Sequence, residues 1–299
     1  MPKNIRGVLP IVHTPFTDDD RIDVDSLHRE LAWALERPIG GYCTGMVSEI
    51  LRLSGDERNH LHREIGAADR GERVFVAGVG AESTGQACAF AEAAAGYGCD
   101  AVMVIPPVTA RTSYNQLRDY FSSIADAVDV PMIIQDASSY VGQAIPMQLN
   151  VELLDKFGED KILFKPEASP LGPKLSELRD ATGGRAKIFE GSGGILLMDS
   201  YRRGIKGTMP GMEFLDTVLA VWDALEAGDD ARAYTAYMPL CALVALQLQA
   251  GLEGFLATEK YILHARGLFT TDRRRQPYSF VLDKETRAEI DRLMKLAGL

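Results

Sequence analysis

Short apolar runs alternate along the chain with longer stretches in which apolar positions recur at helical spacing. We interpret the apolar runs as eight strands, at residues 8–12, 41–44, 74–77, 101–105, 132–135, 162–165, 187–190 and 207–209. A stretch with helical spacing follows each strand, from residues 24–36 after the first to 215–227 after the eighth. Because several strands are apolar at every position, we expect parallel strands that are covered on both faces.

Eight strand–helix units joined by short connections are typical of a (β/α)8 barrel. After Gly228 the pattern is helical only, with helices predicted at residues 230–248, 254–264 and 284–297. We therefore predict an α/β protein with two parts. A (β/α)8 TIM barrel occupies residues 1–228, and a C-terminal helical appendage at residues 229–299 packs on it.

The composition narrows the possible functions. The 42 acidic and 32 basic side chains give a net charge of −10, and no basic stripe is present, which argues against a nucleic-acid partner. No apolar run is long enough for a membrane span, and the first residues lack a secretory signal pattern. The four cysteines lack CxxC spacing, which argues against a zinc site. We expect a cytoplasmic protein with no metal and no cofactor.

In a barrel the chemistry lies at the carboxyl ends of the strands. Lys165 ends the sixth predicted strand, where apolar walls would disfavour its ammonium form. The free amine could attack a ketone and form a Schiff base. Glu167 falls on the same side of the strand, so an ion pair between the two is the alternative. Gln135 ends the neighbouring fifth strand.

Two glycine-rich loops offer backbone N–H groups to an anion, although either loop could simply be a tight turn. The candidate binding residues in the loops after strands two, seven and eight are Gly45, Met46, Val47, Ser48, Glu190, Gly191, Ser192 and Thr208. His13 follows the first strand and is expected to make structural hydrogen bonds. His60 and His62 are expected at the surface of a helix.

These residues, in this order, resemble the dihydrodipicolinate synthase / N-acetylneuraminate lyase superfamily along nearly the whole chain. The features that carry the resemblance are residues 7–10 and 14–16, the loop from Gly45 to Glu49, Pro106-Pro107, Lys165, and Gly191-Ser192. The resemblance implies a barrel with C-terminal helices, usually a homotetramer. It also implies a Schiff base between Lys165 and a small-molecule 2-keto acid.

The chain departs from the synthase pattern at several positions. Met46 and Val47 stand where the synthase has threonines, and Gln135 stands where it has its catalytic tyrosine. Tyr140 stands where it has a substrate-binding arginine. Since an amide cannot replace a phenol in proton transfer, we expect neither dihydrodipicolinate synthesis nor sialic acid cleavage. Residues 133–137, 164–167 and 174–178 instead resemble the branch that contains L-2-keto-3-deoxyarabonate dehydratase.

The resemblance therefore implies removal of water from a 2-keto-3-deoxy sugar acid. The N–H groups of residues 46–48, helped by the Ser48 hydroxyl, would hold the carboxylate, and Gln135 would hold a hydroxyl group or a water. Glu167 would shuttle protons or orient Lys165. Glu190 and Ser192 would contact the substrate tail, and Thr208 would line the base of the pocket.

Four other functions remain open on the sequence. One is an aldolase that releases pyruvate, and another is a deaminase of a hydroxylated pyrroline carboxylate. The third is a non-catalytic barrel that binds a 2-keto acid. The last is a dinucleotide-dependent dehydrogenase, which rests only on a partial GxGxxG match at residues 78–83.

Overall fold

Eight short parallel strands form the inner wall of a (β/α)8 barrel in the computed structural model, which describes residues 3–299. The strands are β1 Gly7–Val8, β2 Gly41–Cys43, β3 Val74–Gly78, β4 Ala101–Val104, β5 Met132–Asp136, β6 Ile162–Pro166, β7 Phe189–Glu190 and β8 Gly207–Thr208. Strands β2 to β6 pair in sequence order, and β8 pairs with both β1 and β7. Single bridges from Ile11 to Cys43 and from Phe164 to Ile188 join these two groups, so the ring closes.

A helix follows each strand, and three more helices complete the described chain. The helices are α1 Val24–Leu35, α2 Gly55–Gly66, α3 Thr84–Gly96, α4 Tyr114–Ala127, α5 Met147–Phe157, α6 Leu171–Ala181, α7 Leu197–Arg202, α8 Leu215–Glu226, α9 Asp230–Leu248, α10 Gly251–Ala265 and α11 Lys284–Ala297. Several begin at a serine cap. For example, the Ser83 hydroxyl accepts a hydrogen bond from the backbone N–H of Gln86 at 3.3 Å.

Two apolar layers explain why the strands are apolar at every position. Val74 and Val76 point into the barrel, where they pack with Ile133, Leu163 and other residues from the neighbouring strands. Phe75, between them, points outward into the larger core between strands and helices. Successive strand side chains alternate between these layers, and both layers exclude water.

The structure corrects two details of the prediction. The first strand was predicted over residues 8–12 but is shorter, because Pro10 has no N–H to continue the ladder. The surface placement of His62 was wrong, since its side chain is buried and its Nε2 lies 2.9 Å from Thr44 Oγ1. His62 shares the buried face of α2 with Leu61 and Ile65, at helical spacing. Burial lowers its pKa to about 3.

The three C-terminal helices pack on the barrel and share its outer core. Side chains such as Leu243 of α9, Ile262 of α10 and Ile290 of α11 belong to the same apolar cluster as the barrel helices. Helix α10 also contacts the loop after β2, at the carboxyl end of the strands. A division of the chain at residue 228 stays a proposal. Within residues 3–299, no helix is both long and apolar enough to cross a bilayer.

Candidate active site

A buried ion pair lies at the carboxyl ends of β5 and β6. Lys165 Nζ is 3.2 Å from Glu167 Oε1, and both side chains are almost entirely buried. Gln135 pairs in register with Lys165, and its amide donates a hydrogen bond to the other oxygen of Glu167. Burial raises the pKa of Glu167, although the Lys165 charge and the Gln135 amide partly oppose that shift. The carboxyl group is therefore able to hold a proton.

Gly191 makes room for this ion pair. A methyl group at this position would lie 2.5 Å from Lys165 Cε and would overlap the Glu167 carboxylate. The residue after β7 must therefore lack a side chain if Lys165 and Glu167 are to keep their places. The glycine loop after β7 thus serves close packing as well as the turn.

The loop after β2 folds into a short 3-10 helix at Met46–Ser48. The backbone N–H groups of Met46 and Val47 have no acceptor within residues 3–299. The Ser48 hydroxyl donates to Val12 O and accepts from the N–H of Gly45, at 3.0 Å in the latter case. The N–H groups of Met46 and Val47 are therefore free to bind an anion. The prediction fails for Ser48, whose N–H donates to Gly45 O at 3.1 Å and whose hydroxyl is already engaged.

One cavity at the mouth of the barrel brings together six of the eleven predicted site residues. They are Met46, Val47, Gln135, Lys165, Glu167 and Gly191. The remaining five, Gly45, Ser48, Glu190, Ser192 and Thr208, do not line this cavity. The cavity thus joins the predicted lysine to the predicted anion-binding turn.

Three of the five other residues bond to groups of the barrel wall. The Thr208 hydroxyl donates to Glu190 Oε2 at 2.6 Å, and the N–H of Ser192 donates to the other Glu190 oxygen. The Ser192 hydroxyl accepts from the N–H of Leu196 at 3.0 Å. Contact of these side chains with a substrate tail stays a prediction, and in this structure they bond to one another or to the main chain.

Eight further residues line the cavity. They are Ile11, Tyr140, Gly193, Met209, Gly211, Leu252, Phe255 and Glu259. The last three belong to α10, so the C-terminal helices supply a wall of the site. Sequence reasoning assigned no site residue to this helix. The available signal was the pair Glu259-Lys260, two adjacent charged residues in the middle of the helix between apolar neighbours.

A buried cluster of charges borders the same cavity. His13 Nδ1 lies 3.1 Å from Glu30 Oε1, and His13 Nε2 lies 3.1 Å from Glu259 Oε2. Burial lowers the pKa of His13, but the two carboxylates outweigh it and raise the pKa to about 10. His13, Glu213 and Glu259 are the one set of ligand-type groups in the described chain close enough to share a metal ion, with their atoms within 4.8 Å of one another.

On the far side of this cluster, Lys260 is buried and lies 3.1 Å from Glu49 Oε1. Its ammonium group also donates to the backbone oxygen of Thr14. Glu49 in turn accepts a hydrogen bond from the N–H of Arg275 at 2.8 Å. These contacts attach α10 and the C-terminal segment to the turn that carries the free N–H groups.

Comparison with known proteins gives three findings. The model of the dihydrodipicolinate synthetase family matches residues 4–297. A 4-hydroxy-tetrahydrodipicolinate synthase of Methanosarcina mazei is 35% identical over 179 residues, which are 59% of this chain and 59% of that relative's own length. An L-2-keto-3-deoxyarabonate dehydratase of Azospirillum brasilense is 28% identical over 95% of this chain and 92% of its own.

A solved dihydrodipicolinate synthase from Rhodopseudomonas palustris superposes with a TM-score of 0.88. It is 26% identical, and the match covers 99% of this chain and 100% of that one. The chain therefore shares its whole fold with this enzyme.

The packing at Gly191 predicts the effect of a single methyl group. We expect Gly191→Ala to displace Lys165 or Glu167 and to lower the free energy of unfolding by about 1–3 kcal/mol, as overpacking does. Gly85→Ala is the matched control, because nothing lies within 4 Å of a methyl group there. Denaturant unfolding of both variants checks the prediction, and equal stability would show that the pair tolerates the methyl group.

Proposed function

The chain belongs to the dihydrodipicolinate synthetase family, and from this premise we propose that it is a Schiff-base lyase acting on a small 2-keto acid. The observation that carries the proposal is the buried pair of Lys165 and Glu167 in a cavity that also holds free backbone N–H groups. An amine nucleophile, an adjacent carboxyl group and an anion-binding turn are the groups that such a reaction needs.

Glu167 would supply the proton transfers at Lys165. The ammonium proton passes to Glu167, whose raised pKa favours the neutral carboxyl group. The free amine of Lys165 then attacks the C2 ketone. The oxygen takes one proton from the attacking nitrogen and a second from Glu167, so water leaves and a positively charged iminium remains. This order of steps uses an ion pair whose two groups are already 3.2 Å apart.

The turn at Met46–Ser48 would hold the substrate carboxylate. The N–H groups of Met46 and Val47 border the cavity and have no acceptor within the described residues. Backbone donors are independent of the side chain, so the apolar side chains at these two positions do not prevent this role. Binding there would place C2 of the keto acid within reach of Lys165.

We further propose that the reaction is the dehydration of a 2-keto-3-deoxy sugar acid. The iminium withdraws electrons, Glu167 removes a proton from C3, and the resulting enamine expels the C4 hydroxyl group. Gln135 supports this reaction over synthase chemistry, because its amide binds Glu167 and offers no acidic proton. The near-full-length similarity to a dehydratase adds support.

The Schiff base predicts a covalent trap. Borohydride added with pyruvate should attach a stable mass adduct to Lys165, found by peptide mass analysis. Lys165→Arg should abolish the adduct, because guanidinium does not form the imine. Lys187→Arg, which changes a surface ion pair with Asp160, should leave it intact. An adduct on another lysine, or none, would contradict the mechanism.

The proton-transfer role of Glu167 predicts a large kinetic effect. Glu167→Gln should lower turnover by roughly 100-fold or more, since general acid–base catalysis commonly contributes at least that much. Glu177→Gln, at an exposed position of α6, is the matched control. A rate within a few-fold of the parent enzyme would leave Glu167 only the task of orienting Lys165.

Product analysis separates the dehydratase from the aldolase. With 2-keto-3-deoxy-L-arabonate we expect loss of water and formation of a 2-oxo semialdehyde, identified by mass. Both reactions use the same lysine, so only the products distinguish them. Release of pyruvate together with an aldehyde would establish carbon–carbon cleavage instead.

A further inference from the structure

The cavity has a second carboxyl group that the steps above do not use. Glu259 of α10 lines the cavity and is 1% exposed. Glu213 lies directly behind the cavity wall, because a methyl group on the lining residue Gly211 would overlap its carboxylate. Glu213 Oε1 accepts a hydrogen bond from Gln247 at 2.8 Å, and its Oε2 has no partner within residues 3–299.

The surrounding groups hold Glu259 in place. His13 lies between Glu30 and Glu259, at 3.1 Å from an oxygen of each. The ring hydrogen-bonds through Nδ1 to Glu30, whereas Nε2 and Glu259 Oε2 are in ion-pair contact and make no hydrogen bond within the described residues. Lys260 is the next residue of α10, and Glu49 is its closest charged partner.

The carboxyl groups of this cluster outnumber its cations, which favours the neutral form of at least one of them. Glu30, Glu213 and Glu259 face a single imidazolium, and Lys260 is matched by Glu49. Two carboxylates that share a dry site cannot both ionise at little cost. Burial, followed by repulsion from Glu259, raises the pKa of Glu213 to about 8. Glu213 therefore holds its proton at neutral pH, and its carboxyl group lies within 4.8 Å of that of Glu259.

We propose that the Glu213–Glu259 pair holds one proton at neutral pH and that Glu259 delivers it to the departing C4 hydroxyl group. This role rests on the proposed dehydratase function. The enamine electrons form the C3–C4 double bond and the iminium returns, while the C4–O bond breaks. Its electron pair takes the proton from Glu259, so water leaves, and Glu259 remains as a carboxylate until solvent restores the proton.

The other polar groups of the cavity are less suited to this step. Gln135 has no acidic proton. Burial raises the pKa of Tyr140 further above its ordinary value, with a contribution from Glu167, so its phenol is a weaker acid than usual. Glu167 is engaged with Lys165 and Gln135. Glu259 instead belongs to α10, and the neighbouring Glu213 can return a proton to it.

A metal ion at the same three groups is the competing occupant. A metal needs the neutral imidazole as its ligand. His13 keeps its second proton up to about pH 10, because two carboxylates surround it. Binding would require loss of that proton and of the one shared by the glutamates. The arrangement therefore favours a proton over a divalent cation.

Infrared spectroscopy tests the shared proton without any substrate. At pH 7 the protein should show the C=O stretch of a buried neutral carboxyl group, and the band should shift in D2O. Glu213→Gln should remove the part of the band that belongs to Glu213, and Glu167→Gln identifies any part that belongs to a neutral Glu167. Glu285→Gln, at an exposed position of α11, should leave the band unchanged. Absence of the band in the parent protein, or an unchanged band in Glu213→Gln, would overturn the proposal.

Kinetics test the delivery step. With 2-keto-3-deoxy-L-arabonate, Glu259→Gln should lower kcat by roughly 100-fold or more. Deuterium exchange at C3 of pyruvate should stay within a few-fold, because exchange needs only Lys165 and Glu167. Normal dehydration by Glu259→Gln would overturn the proposal, and so would loss of exchange, which would indicate a binding or folding role. A parent protein that neither exchanges nor forms the borohydride adduct would instead refute the proposed function.

The pH dependence of kcat tests whether Glu213 supplies the proton that Glu259 delivers. In the parent enzyme kcat should fall as pH rises through about 8, when Glu213 loses its proton. Glu213→Gln should lower kcat and remove that decline, because an amide replaces the group that supplies the proton. An unchanged profile would overturn the pairing. Metal analysis of the purified protein completes the test, since one tightly held divalent ion per chain, lost in Glu259→Gln, would assign the cluster to the cation.

Discussion

The ion pair of Lys165 and Glu167 is the contact on which the rest of the site depends. Two charges inside a barrel mouth are tolerated only when each is paired and hydrogen-bonded, since an unpaired buried charge costs several kcal/mol. The second oxygen of Glu167 therefore needs the Gln135 amide, and the space around the pair requires glycine at position 191. The pairing of these two buried charges thus fixes the end of β6, the end of the neighbouring strand β5 and the loop after β7.

The second set of buried charges connects the barrel to its C-terminal helices. Lys260 binds Glu49 in the loop after β2, and Glu259 faces His13 after β1. Adjacent residues of α10 therefore attach one helix to the ends of two strands. These contacts exclude water, so loss of a single partner would leave an uncompensated buried charge. Movement of the helix away from the barrel mouth would therefore cost several kcal/mol of free energy. The site is therefore completed by chain that lies outside the eight strand–helix units.

The barrel and its lysine could be predicted from the sequence because both depend on local pattern. Period-two alternation places Lys165 and Glu167 on one side of β6, and the strand end places them at the mouth. The role of α10 could not be predicted in this way, since helical periodicity shows that a face is buried but not what it covers. The Ser48 hydroxyl shows the same limit, because its acceptor, Val12 O, is distant in sequence.

The division of the cavity wall between strands and α10 has a consequence for how substrate range can change. The loop residues Gly191 and Gly211 are confined by their neighbours, so a new side chain at either position would disturb the carboxylate of Glu167 or of Glu213. Leu252 and Phe255 line the same cavity from a helix that takes no part in the sheet. Substitutions at those two positions can reshape the pocket without changing the strands that carry Lys165 and Gln135. Glu259 shares their helix, so such substitutions must keep α10 in its place.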